Sequence, residues 1–217
     1  ASVALVIAAD RTSNNPHVYY PAPHGPGGTG EHEDTVWDNF TDDPYARCGM
    51  IDTAENVARK WQIPTEEQHE VVVRRYEQYG EATVDGEAFH ARYMSLPLEV
   101  PDARYRKTMA TLSGDEGIHK ATRDGLNNLK PIKQDGTVTF GGQTHPADGN
   151  AAMVVTTRDS ARALSSDSSD KIRVKGFGTA RVEKAFMPYA PVPAAQRALD
   201  DADVSLDKID AVKTHNP

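Results

Sequence analysis

An α/β fold with a mostly helical insertion is predicted by three observations. Residues 2–9 (SVALVIAA) form a short, continuous, β-branched apolar run, and residues 151–156 (AAMVVT) form a second. Such runs mark strands buried on both faces, as in parallel sheets. Strand-like and helix-like stretches also alternate at both ends of the chain, while the long span between the two runs reads as mostly helical. That alternation belongs to α/β architecture.

Between the two runs the first stretch is irregular. Residues 10–48 are rich in Pro, Gly, Asn, His and Asp and have no period, which is long for a structureless loop. Their aromatics (Tyr19, Tyr20, Trp37, Phe40, Tyr45) argue for an ordered, packed excursion. Asp52 is expected to cap a helix over residues 53–61, with Glu55 completing a capping box. Thr65, with Gln68 three residues on, opens a second helix running to about Tyr79. Residues 81–100 fit no pattern, and residues 104–128 read as a surface segment. Asp135-Gly136 is a turn, and residues 137–140 alternate as a short strand.

After the second apolar run the spacing predicts a short helix over 160–164 and a polar linker over 165–170. Residues 172–182 are strand-like but interrupted by Gly176 and Gly178. A helix over 194–202 puts Ala195, Ala198, Leu199 and Ala202 on one face, with Pro193 near its start. Residues 209–213 are a last strand.

Composition narrows the function. The 217 residues suffice for one large domain or two small ones. With 24 Lys+Arg against 32 Asp+Glu the net charge is −8, which argues against a general nucleic-acid binder. A single cysteine, Cys48, excludes an internal disulfide framework and a Cys-rich zinc site, and fits a reducing, cytoplasmic compartment. No apolar run approaches the roughly 20 residues of a membrane span, and no signal peptide is visible. Both ends fall in strand-like runs, which would leave ladder groups unpaired; the chain therefore reads as a segment of a longer polypeptide.

Three constellations could carry chemistry. Residues 24–34 (HGPGGTGEHED) combine glycines with His24, His32 and carboxylates. Without a phosphate-loop Lys or a zinc-protease spacing they read rather as a flexible, solvated loop, and no structural metal is expected there. Residues 141–149 (GGQTHPADG) combine close backbone approach with Thr144 and His145, although an ordinary tight connection has the same spacing. Residues 214–217 (THNP) put His215 at a strand end, where ligands sit in open α/β sheets. Cys48 has no base partner nearby in sequence and reads as a buried or inert thiol.

Four stretches in one order resemble the thiolase family. Residues 49–58 (GMIDTAENVA) are similar to its Met-Gly-x-Thr-Ala-Glu-Asn-Val-Ala stretch, and residues 63–68 (IPTEEQ) to the helix start that follows. Residues 136–149 (GTVTFGGQTHPADG) resemble Gly-Thr-Val-Thr-Ala-Gly-Asn-Ala-Ser-Gly-x-Asn-Asp-Gly. Residues 191–199 (PVPAAQRAL) and 206–210 (LDKID) resemble the helix and strand leading to the family's Asn-Glu-Ala-Phe motif.

The resemblance implies a layered αβαβα fold, represented here in part. Residues 1–10 would end the N-terminal half, 11–137 form the inserted loop domain, 138–168 return to that half, and 169–217 open the C-terminal half. It implies an acyltransferase that makes or cleaves a carbon–carbon bond of a 3-oxoacyl-CoA, with coenzyme A as substrate and no covalently bound cofactor. The family's nucleophilic Cys, activating His and second Cys fall outside the matched positions, and Cys48 takes none of those roles.

By the same resemblance Met50 matches a Met of the acyl pocket. Thr144 matches a Ser near the thioester end of coenzyme A, with His145 beside it. His215 matches an Asn that fixes a water in an oxyanion hole; His there is similar to the His-Asp-Cys-Phe branch, the sterol-carrier-type thiolases. Met50, Thr144 and His215 are expected to share one pocket. Expected partners are acyl-CoA, further copies of the chain and a small zinc-ribbon/OB-fold protein. The alternatives are a non-catalytic thiolase-like binding or scaffold protein and a ketoacyl-synthase relative, against which residues 53–56 and 136–139 argue.

Overall fold

The computed structural model describes residues 2–10, 15–84, 88–144, 148–166 and 172–214. They divide into two compact units, residues 1–60 with 146–216 and residues 61–145 with 217.

In the first unit β1 (Val3–Asp10) pairs antiparallel with β6 (Gly149–Thr156), in register from Val3 opposite Thr156 to Asp10 opposite Gly149. Both expected strands are therefore present, but their expected parallel, two-sided burial is not. All of β1 is exposed, including Leu5 at 64% and Ile7 at 66%, and so is β6 except Thr156. The continuous apolar run reports what such a strand needs on its faces, and the residues of this unit do not supply it.

The irregular excursion is a hairpin, β2 (His17–Tyr20) with β3 (Glu31–Asp34), followed by the five-residue α1 (Trp37–Thr41). Asp34 ties the two together, because its Oδ1 accepts from the backbone N–H groups of Val36 and Trp37 and from Asn15 Nδ2. The aromatics expected to pack are largely solvent-facing: Tyr45 is 73% and Trp37 65% exposed.

Next comes α2 (Met50–Trp61), which starts earlier than its expected cap. Gly49 is the N-cap, since its carbonyl accepts from Thr53 N–H. Asp52 sits three residues into the helix and reaches back to accept from Gly49 N–H at 3.2 Å, half of a capping box. The C-terminal part of the helix is held by the 183–186 segment: Asn56 Nδ2 donates to Ala185 O, and Lys60 pairs with Glu183 and lies over the Phe186 ring.

Beyond β6, α6 (Arg158–Leu164) is capped by Thr157, whose side chain accepts from Ser160 N–H. The strand expected over 172–182 forms no regular element and pairs with no strand among the described residues. It runs along α7 (Pro191–Ala202) instead: a Cβ at Gly176 would collide with Ala198 O, and one at Gly178 with Ala194 O. These two glycines serve close approach of backbone to helix. On α7 the half-buried residues are Pro193, Ala194, Ala198, Leu199 and Ala202, so Ala195 faces solvent, contrary to expectation. Residues 209–213 are not a strand; a 3-10 turn at Leu206–Lys208 precedes them.

In the second unit α3 (Thr65–Thr83) is the longest helix, with Glu66 and Glu67 complementing the dipole in its first turn. Its inner face follows the spacing of an amphipathic helix: His69 and Val73 are buried, and Thr65, Gln68, Val72 and Tyr76 are half-buried. The short α4 (Ala88–Ala91) is fastened by a 2.8 Å contact between His90 Nε2 and Asp115. A second hairpin, β4 (Leu98–Pro101) with β5 (Thr108–Leu112), and the helix α5 (Arg123–Asn127) complete the unit. Helices make up most of the regular structure described in the expected insertion, with two short hairpins beside them. The expected surface segment 104–128 contributes to the core through Leu126, which is 6% exposed. The strand expected at 137–140 reduces to one bridge, Pro131 with Thr139, before a 3-10 turn at Phe140–Gly142.

Candidate functional site

Two of the four residues singled out in the sequence are described. His145 and His215 lie outside the described residues, as does the expected boundary between residues 168 and 169. Met50 belongs to the first unit and Thr144 to the second, so each is built from its own surroundings.

Met50 is the first residue of α2 and is half-buried. Its backbone is fixed from both sides. Thr53, 1% exposed, donates from Oγ1 to Met50 O at 2.7 Å, and Gly49 before it is held by Asp52. The preceding turn is fixed by Asp43, whose N–H donates to Cys48 O and whose Oδ1 accepts from Tyr45 N–H. Arg47 takes a left-handed conformation there (φ 58°), which brings the half-buried Cys48 and Gly49 into the helix start. Met50 is thereby an apolar side chain on a rigid helix terminus, suited to lining a pocket.

Thr144 is exposed and follows the 3-10 turn at Phe140–Gly142. The turn is closed by Gly142 N–H to Thr139 O and Gln143 N–H to Phe140 O. Gly141 is packed against the core so tightly that a Cβ there would collide with Leu126 and come within 2.9 Å of Leu129 Cδ1. The residues leading into the turn differ: Val138 is a buried apolar residue, while Thr137 and Thr139 hydrogen-bond to α3. Gln68 Nε2 donates to Thr137 Oγ1 at 3.0 Å, and Thr65 Oγ1 donates to Thr137 O at 2.8 Å. His69 Nε2 and Thr139 Oγ1 share a 2.8 Å hydrogen bond. Thr65, Gln68 and His69 occupy positions i, i+3 and i+4, one face of one helix.

This polar face was not legible as part of a site. Gln68 is visible in the sequence as a helix-start residue, and His69 carries no signal of its own. The signal that could find them is the match between polar residues at i, i+3 and i+4 and the alternating threonines of the Thr-Val-Thr segment.

The glycine and histidine stretch 24–34 became the turn and second strand of the β2–β3 hairpin, where His32 stacks on His17 with ring centroids 5.1 Å apart. Glu33 accepts from Tyr20 Oη at 2.7 Å and from Asn39 Nδ2, and both bonds hold its carboxyl below the usual carboxylate range. The same bond pushes the Tyr20 phenol up. Backbone donation from Trp37 holds Asp34 below its ordinary value as well. A cavity of about 500 Å³ beside this hairpin is lined by Glu31, Glu33, Asp38 and Asp42 against Arg47, an environment that repels phosphates. Among the described residues no group of three or more His, Cys, Asp or Glu could hold a metal ion.

A family model described as the thiolase N-terminal domain matches residues 1–159. The chain belongs to the thiolase family. An acetyl-CoA acetyltransferase of Paracoccus denitrificans is 32% identical over 222 residues, covering 97% of this chain and 53% of that protein. The crystal structure of the Bacillus anthracis acetyl-CoA acetyltransferase superposes with a TM-score of 0.75 at 28% identity, over 95% of this chain and 51% of that one. The human mitochondrial 3-ketoacyl-CoA thiolase crystallised in complex with CoA gives 0.73 at 27% identity, over 96% of this chain and 51% of that one. The chain therefore has the α/β thiolase fold and spans about half the length of these acyltransferase relatives.

Proposed function

We propose that this thiolase-family chain supplies the loop domain and part of the acyl and coenzyme A pocket of an acyltransferase that makes or cleaves a 3-oxoacyl-CoA. The observation that carries the reading is the match of residues 1–159 to the thiolase N-terminal domain. It is supported by the Thr-Val-Thr-Phe-Gly-Gly stretch, whose turn presents the exposed Thr144 from a rigid base. In thiolysis an enzyme thiolate attacks the 3-oxo carbonyl, the C2–C3 bond breaks and the departing acetyl-CoA carbanion takes up a proton, leaving an acyl thioester on the enzyme; the coenzyme A thiol then gives up its proton and attacks that thioester, its C–S bond to the enzyme breaks, and acyl-CoA and the enzyme thiolate are released.

In this reading Met50 lines the acyl pocket, and Thr144, with His145, hydrogen-bonds near the thioester end of coenzyme A. His215 donates to a water in an oxyanion hole, as in the sterol-carrier-type branch, and the nucleophilic thiol is not Cys48. The loop domain takes residues 11–137. The active form is a homo-oligomer in the cytoplasm, with a small zinc-ribbon/OB-fold protein as a further partner. No helix among the described residues is long and apolar enough to cross a membrane.

Calorimetric titration of the chain with coenzyme A tests the reading. Saturable binding is expected, weakened about 2- to 10-fold by Thr144→Ala, the scale of one neutral hydrogen bond. In an acyl-transfer assay of the complete polypeptide, His215→Ala is expected to lower kcat about 10²-fold, with activity retained in His215→Asn. Absence of binding at millimolar coenzyme A contradicts the proposal. Binding without acyl transfer by the complete polypeptide favours the non-catalytic alternative.

A further inference from the structure

We infer that His69 is a positioning residue for the coenzyme A-facing turn: acting through the Thr139 hydroxyl, it sets where the 3-10 turn at Phe140–Gly142 presents Thr144. The part concerning coenzyme A rests on the function proposed above; the part concerning the turn does not.

Three observations carry the inference. The first is burial. His69 is 6% exposed and Thr139 2%, so their 2.8 Å hydrogen bond lies where neither partner can exchange it for water. A hydroxyl stripped of its partner in such a place keeps its desolvation cost, which makes the bond directional and hard to replace. The second is connectivity. Thr139 is the residue whose carbonyl accepts from Gly142 N–H to close the turn, so its side chain is anchored to α3 and its main chain to the turn. A rotation at Thr139 moves every residue after it. The third is the lack of slack on the other side. Gly141 already packs against Leu126 and Leu129, so the turn can drift toward the core only if those side chains shift.

The neighbouring bonds divide the labour. Thr65 and Gln68 hold Thr137, two residues upstream, and fix the segment's position along α3. His69 holds the last residue before the turn. Removing the Thr137 bonds would slide the segment, whereas removing the His69 bond would release the turn alone. A buried histidine is also a costly way to fill core volume, and the three polar residues on one helix face all meet the same short segment. The α3 face is thus a clasp for residues 137–139.

The test compares Thr139→Val, which keeps shape and removes the hydroxyl, with Thr139→Ser, which keeps the hydroxyl. Hydrogen–deuterium exchange is followed at the Gly142 and Gln143 amides and along α3, and coenzyme A affinity is measured on the same samples. Thr139→Val is expected to accelerate exchange at Gly142 and Gln143 about tenfold or more while the α3 amides change less than about twofold. Thr139→Ser should return the turn to within about twofold of the parent chain. Coenzyme A affinity should follow, falling about tenfold in Thr139→Val and recovering in Thr139→Ser. His69→Gln, which keeps an amide able to reach the hydroxyl, should fall between them.

Uniform acceleration across residues 61–145 in Thr139→Val would mean that the bond supports the fold only, and would overturn the inference. So would an unchanged turn. If the parent chain binds no coenzyme A, the functional proposal fails, and the exchange comparison still decides whether His69 positions the turn.

Discussion

Tyr20 and Glu33 show how one residue pair sets a pH dependence. The phenol donates to the carboxylate across the β2–β3 hairpin, and Asn39 donates to its other oxygen. Both bonds favour the charged carboxylate, so its folded pKa lies below the unfolded one, and Asp34 behaves alike through its backbone donors. Stability from these groups is therefore complete above their unfolded values, around pH 4, and is lost as pH falls through the lower folded values. Tyr20→Phe is expected to raise the Glu33 titration midpoint toward the ordinary value while leaving Asp34 in place. Carboxyl carbon shifts followed by NMR against pH would show it. An unmoved Glu33 midpoint would mean that the Tyr20 bond is not formed in solution.

Elements were legible where a local rule decides them. The helices α2, α3 and α7 carry a helical period, α2 with a capping carboxylate as well, and β1 and β6 carry continuous apolar runs of strand length. The two hairpins were hidden because their strands are four or five residues long and polar or Pro-flanked. Residues 172–182 look like a strand in sequence yet Gly176 and Gly178 lie against α7, because strand propensity is local and the pairing partner is not. At the site, the glycine-rich stretch was readable and its support was not. His69 and Thr139 meet across 70 positions, and no spacing rule joins them.

Two changes test the packing of these elements. Gly141→Ala is expected to cost about 1–3 kcal/mol in urea unfolding, since its Cβ would overlap Leu126. Gly142→Ala, with nothing within 4 Å, should stay within about 0.5 kcal/mol. Equal effects would show that the turn is not pressed against the core. On the ribbon, Ile7→Lys should reduce concentration-dependent light scattering and leave the unfolding midpoint nearly unchanged, because Ile7 is 66% exposed. A loss of about 2 kcal/mol or more would instead reveal it as buried.

At the scale of the molecule, the chain is a thiolase-family segment with two units. Its sheet ribbon is apolar and exposed, and its polar clasp holds the turn that presents Thr144. In the proposed function this turn faces coenzyme A. The direct test is hydrogen–deuterium exchange with and without saturating coenzyme A. Protection is expected at residues 140–144, and none in the β2–β3 hairpin, whose acidic cavity repels phosphates. Protection confined to that hairpin, or no change at residues 140–144 under saturation, would contradict it.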